Sequence, residues 1–275
     1  MYVKLESRDD RMGSNFLITS SLLAYAINNS MYIYYGNDLK YLDSPIFRIL
    51  IETIKIHNNK LLEEGAPFDD RELPKVNDFY TQLSKVTLNI KSDIISFLWR
   101  NSELRNVFDS FGNFYNMGYN PKTTIIIHLR LDDVSHRNDY DGERKTRYLK
   151  KALNMGYSVP ALYSCTCGNQ APISDYKIEN VLKKAKENFP NMKDVLIVTS
   201  PKSEIKLPYK VLRSQDFNQD LYYLIKAEVL IMSRSTFAMT AAILGRHKKL
   251  YCPYWSHVPL TGLSTKYDKS RIEYF

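Results

Sequence analysis

The chain has 275 residues, 44% hydrophobic and 13% aromatic, which suits a globular protein with one large core or two of ordinary size. Its formal net charge of +8 favours an anionic partner, but Lys and Arg are spread along the chain without a basic block or RNA-binding signature, so nucleic acid is not an expected partner. No apolar run reaches the ~18 to 20 residues that span a bilayer, and the opening MYVKLESRDDRMG has no signal-peptide pattern, so no transmembrane segment and a soluble, cytoplasmic protein are expected.

The opening YVKLES, the turn RDDRMGSN, the apolar helical stretch FLITSSLLAYAINNS and then MYIYYG predict strand, turn, helix and strand, a βαβ start. Gly13 is expected to make the turn, with Ser14 or Asn15 capping the helix. From SPIFRILIETIKIHNNKLLEEG to about Asn116 the pattern is mostly helical, broken by the polar, Pro-bearing PFDDRELPKVNDFY. The turn-rich MGYNPKT at 117–123 marks a domain boundary, dividing the chain into 1–118 and 119–275.

Beyond it, TTIIIHLR, DVLIVTS, EVLIMS and KKLYC predict short buried strands separated by the helical SDYKIENVLKKAKENF and DFNQDLYYLIKA. Alternating strands and helices in both halves imply an α/β fold, two Rossmann-like domains facing a cleft. Of three cysteines, Cys165 and Cys167 in SCTCG stand too close together for a zinc pair without a matching second pair, so reduced thiols are expected.

Strand ends carry the chemistry. A run of isoleucines that closes on His128, Arg130, Asp132 and Asp133 reads as a strand covered on both faces, whose carboxyl end faces a ligand. Thr199 and Ser200 end the second strand. Ser233, Arg234, Ser235 and Thr236 end the third and lead into the helix FAMTAAIL, which stops at Gly245, a natural C′ residue. Hydroxyls and free N–H groups at a helix start suit an anion, and the Arg130 fork can hold a phosphate through two bonds. Simpler roles stand beside these: Ser235 and Thr236 as helix caps, His128 as a core histidine bonded to backbone, and Arg130 as the ion-pair partner of Asp133.

HLRLDD resembles the His-x-Arg-x-x-Asp motif of the GT-B glycosyltransferase superfamily that contains the α1,2-, α1,6- and protein O-fucosyltransferases. NQDLYYLIKAEVLIMSRSTFAMTAAILG resembles its later helix, strand and Ser-x-Ser-(Ser/Thr)-Phe turn, and DRMGSNFLITSSLLAYAINNSMYIYYG is similar to its N-terminal Arg-x-Gly-Asn-Gln turn. The three segments follow the family order. This chain departs from the pattern at Leu131, where many relatives have a second Arg, at Asp132 in place of Gly, at Ser14 in place of Asn, and at Met239 and Thr240 in place of a Trp pair.

The resemblance implies an inverting, metal-independent transferase acting on a glycan or glycoprotein, with GDP-fucose as the favoured donor and no cofactor beyond it. Another nucleotide sugar such as UDP-xylose, or a non-catalytic nucleotide- or glycan-binding module, are the alternatives. By the resemblance, the donor is held by His128, Arg130, Ser200, Asp220, Ser233, Ser235, Thr236 and Phe237, with Gly13 and Asn15 contributing from the N-terminal domain. Inversion needs a cation at the departing phosphate, which suits Arg130, and a base for the acceptor hydroxyl. Asp133 is the first candidate base, followed by Asp132, Asp139 and His136.

Overall fold

The computed structural model describes residues 2–5, 7, 11–36, 39–64, 118–131, 134, 171–253, 255 and 269–275. The chain divides into two compact units, Met1–Gly112 and Asn113–Phe275.

In the first unit, strand β1 (Tyr2–Leu5), helix α1 (Met12–Asn28) and strand β2 (Tyr32–Tyr35) form the expected βαβ turn, with β1 and β2 parallel. The start of α1 differs from expectation. The helix begins at Met12, so Gly13, Ser14 and Asn15 lie inside its first turn instead of preceding it, and the buried Asn15 side chain donates to the Arg11 carbonyl at 3.3 Å. Helix α2 (Pro45–Glu63) opens on a proline, whose missing N–H costs nothing in a first turn.

This second helix also covers the outer edge of β2. Asn58 Nδ2 donates to the Ile33 carbonyl at 2.7 Å, and the Ile33 N–H donates to Asn58 Oδ1 at 3.0 Å. One side-chain amide thereby takes the place of a neighbouring strand at an otherwise exposed ladder position.

The second unit is a six-stranded, all-parallel sheet, a Rossmann-like α/β layer. Its strands are β3 (Thr124–Leu129), β4 (Asp194–Thr199), β5 (Lys210–Leu212), β6 (Val229–Ile231), β7 (Lys249–Cys252) and β8 (Ile272–Tyr274), in spatial order β5-β4-β3-β6-β7-β8. Among the described residues its α-helices are α3 (Asp175–Asn188) between β3 and β4, α4 (Phe217–Lys226) between β5 and β6, and α5 (Thr236–Leu244) between β6 and β7. The first strand of the unit therefore lies in the middle, and the chain reverses its direction of travel across the sheet between β3 and β6. That pair is the topological switch point, where open α/β sheets bind ligands beyond the strands' carboxyl ends.

All six residues of β3 are buried, which is why an isoleucine run with no alternation forms a strand here. Ile125, Ile127, Leu129, Val195, Ile197, Val229 and Ile231 pack with Ile178, Val181, Leu182 and Ala185 of α3 in one core. The period of two then turns Ile126 and His128 to the opposite face. Helix α5 is buried from Ala238 through Leu244, as expected for a helix apolar on every side.

The end of α5 corrects a second expectation. Gly245 has φ −75° and ψ 170°, extended backbone open to any residue, and is not a left-handed C′ cap. Its small size matters for another reason: a Cβ here would lie 2.7 Å from the Ile225 carbonyl oxygen and 2.6 Å from His247 Cε1.

Candidate functional site

At the switch point the carboxyl end of β3 meets that of β6. The two strands run in register as Ile125↔Val229, Ile126↔Leu230 and Ile127↔Ile231. Just past this ladder, His128 Nδ1 and Ser233 Oγ lie 2.6 Å apart, both buried. The His128 ring also sits 5.7 Å from the Phe237 ring in the first turn of α5. His128 is thus held by a side-chain hydroxyl, and the backbone-bonded role expected for a core histidine does not apply.

Burial, and then the neighbouring Arg130 charge, push the His128 pKa down to about 3, so the ring is neutral at physiological pH. Arg130 follows β3 directly and is half-buried. Ser235 is the N-cap of α5, its Oγ accepting from the Phe237 N–H at 3.1 Å, so the capping role weighed for it is realised. Thr236 is the first residue of that helix, and its carbonyl accepts from Thr240 Oγ1 at 3.0 Å.

The β4 end is arranged differently from what its sequence implied. Thr199 Oγ1 donates to the Leu129 carbonyl at 2.9 Å, so this hydroxyl ties β4 to β3 and does not face a ligand. Ser200 Oγ is 2.8 Å from Ser203 Oγ, within its own turn. The structure therefore brings His128, Ser233 and Phe237 into direct contact, with Arg130 close enough to shift the histidine, while Ser200 belongs to the adjacent turn.

Asp220 lies in the first turn of α4, on the same edge of the sheet as the strand ends. It is 8% exposed, and its Oδ1 has no hydrogen-bond partner among the described residues. Burial first, and the Asp216 charge second, push its pKa up to about 7. A buried carboxyl with an unsatisfied oxygen costs stability unless something else completes it. Gly13 and Asn15 lie in the first unit, on α1, and Asp132, Asp133, His136 and Asp139 lie outside the described residues.

Arg234, named in the sequence only as one of the residues leading into α5, has a role that the sequence did not assign. It is 3% exposed, and its Nη1 donates to the Ala171 carbonyl at 2.9 Å, anchoring the chain that enters α3 to the end of β6. The available signal was a charged residue set between two serines directly after a fully apolar strand.

No protein-family model matches the chain, and comparisons with curated proteins and with solved structures return no match.

Proposed function

We propose that the protein is an inverting, metal-independent glycosyltransferase of GT-B type, with the second unit binding a nucleotide sugar, GDP-fucose favoured, and the first contributing the acceptor side. The observation that carries this reading is the His128–Ser233 hydrogen bond at the β3/β6 switch point. It joins, across 105 residues of sequence, the two segments whose resemblance to fucosyltransferases assigns them to the donor, at the position where Rossmann-like sheets hold nucleotides.

In this reading Arg130 grips the diphosphate and neutralises the charge that develops as the sugar leaves. The start of α5, capped by Ser235, adds the favourable end of a helix dipole to the same anion. Asp220 offers a carboxyl oxygen that has no donor among the described residues, a contact a nucleotide can complete. His128 is neutral and serves as a hydrogen-bonding group, leaving the acceptor's proton to a carboxylate, with Asp133 the first candidate. Transfer then proceeds by attack of the acceptor oxygen on the anomeric carbon opposite the departing diphosphate.

A thermal-shift panel of GDP, UDP, CMP and their sugars tests the reading, because a ligand that binds only the native state raises its apparent stability. Stabilisation by GDP and GDP-fucose, with transfer or hydrolysis of the sugar, supports it. A response to UDP alone moves the donor to a UDP sugar, binding without turnover supports the non-catalytic module, and no response to any nucleotide contradicts it.

A further inference from the structure

We infer that Ser233 is a positioning residue: it fixes His128 as the Nε2–H tautomer, so that the ring presents a hydrogen-bond donor at the switch point. The inference rests on the donor-site reading only for what the ring addresses, since the tautomer itself follows from the protein's own hydrogen bonds.

A neutral imidazole carries one proton, and its two nitrogens then have opposite roles. Which nitrogen holds the proton is set by the partner of the other. Here Nδ1 faces Ser233 Oγ at 2.6 Å, a distance typical of a hydroxyl donor. The serine decides the direction. Ser233 is 4% exposed, and His128 is the one partner of its hydroxyl among the described residues. Were Nδ1 to donate, the serine hydrogen would be left buried without an acceptor, at the full cost of desolvating it. With the hydroxyl donating to Nδ1, both groups are satisfied and the ring proton moves to Nε2.

That Nε2–H has no partner among the described residues, while His128 as a whole retains 7% exposure at the carboxyl end of β3. The Phe237 ring 5.7 Å away and the position of Ser233 just past the end of the neighbouring strand β6 together fix the imidazole plane. Its free donor therefore suits an acceptor oxygen or nitrogen of a bound nucleotide. Ser233 itself, with its only hydrogen pointed at His128, acts through the histidine instead of touching the ligand, which revises the direct donor contact expected for it.

The test is a long-range ¹⁵N–¹H spectrum of the histidine rings in the whole protein, assigned with His128→Gln, followed by GDP titrations of wild type, Ser233→Ala and Ser233→Thr. Wild type is expected to show His128 protonated on Nε2 at neutral pH without any ligand. Ser233→Ala should mix the tautomers and weaken GDP binding by about threefold to tenfold, the effect of one lost neutral hydrogen bond, and Ser233→Thr should restore both readouts. A wild-type ring protonated on Nδ1, or an unchanged tautomer in Ser233→Ala, overturns the inference. Failure of wild type to bind GDP counts against the donor reading instead, and the wild-type spectrum still decides the tautomer.

Discussion

Gly245 lies so close to the ring of His247 that no side chain fits between them, and the ring cannot retreat. His247 is fully buried, with Nδ1 2.6 Å from the Ala227 carbonyl and Nε2 3.2 Å from the Ala241 carbonyl. Gly245→Ala must therefore displace either this bridge or the Ile225 backbone. Overpacking of this kind costs about 1–3 kcal/mol, and chemical denaturation should show a lower midpoint with an unchanged slope. A midpoint equal to that of wild type would mean that the ring has room to move.

Asn58 should be as important to the first unit as a core residue, although it is polar and only part-buried. Asn58→Leu leaves the Ile33 N–H and carbonyl to water or to nothing, at a cost of about 1–3 kcal/mol. Hydrogen exchange at the Ile33 amide should accelerate in the variant. Unaltered protection there would show that the amide bracket is not what holds the edge.

Asp220 and His128 act in opposite directions with pH. Native Asp220, at about 7 against 3.8 in the open chain, keeps a proton that the unfolded state has released, so its contribution is present below about 3.8 and is lost as pH rises through 7. Native His128, at about 3 against 6.5, refuses a proton that the unfolded state takes, so its contribution is present above 6.5 and is lost as pH falls toward 3. Between these limits the slopes oppose each other. Asp220→Asn should remove one of them, so that stability climbs more steeply with pH from about 4 to 6.5, by up to ~1.4 kcal/mol per pH unit. The variant should also be more stable than wild type at pH 8 and bind GDP less well. Parallel stability curves for the two proteins would show that native Asp220 is ionised.

Turnover of the nucleotide sugar should survive EDTA, because the proposed site neutralises the leaving diphosphate with Arg130 and the start of α5. Chelation that abolishes activity, with recovery on adding manganese or magnesium, would require a metal in the reaction.

Much of the second unit was readable because its strands are buried on both faces, which leaves uninterrupted Ile, Val and Leu runs at β3, β4 and β6. Strands β5 and β8 escaped for the opposite reason. They are three residues each, sit at the two sides of the sheet and are mostly half-buried, so Lys210–Leu212 and Ile272–Tyr274 carry no strong pattern. His128 and Ser233 could each be singled out as strand-end residues, but their bond joins positions 105 apart and depends on which strands become neighbours. The hydroxyl of Thr199 looked equally available until pairing with β3 brought the Leu129 carbonyl within its reach. At Gly245 the residue type was noticed and its reason was not, since a close approach from Ile225 and His247 leaves no local signature.

The most direct test of the account is the turnover of GDP-fucose by variants at Arg130. Arg130→Lys keeps the charge but not the two-pronged geometry and should lose much of the activity, and Arg130→Ala should lose more. Removing a contact that strengthens as the leaving phosphate gains charge costs about 2.7–4 kcal/mol, roughly a hundredfold to a thousandfold in rate. A folded Arg130→Ala protein that turns over the donor at nearly the wild-type rate would contradict the account, leaving Arg130 as a structural ion-pair partner and the switch point without its phosphate grip.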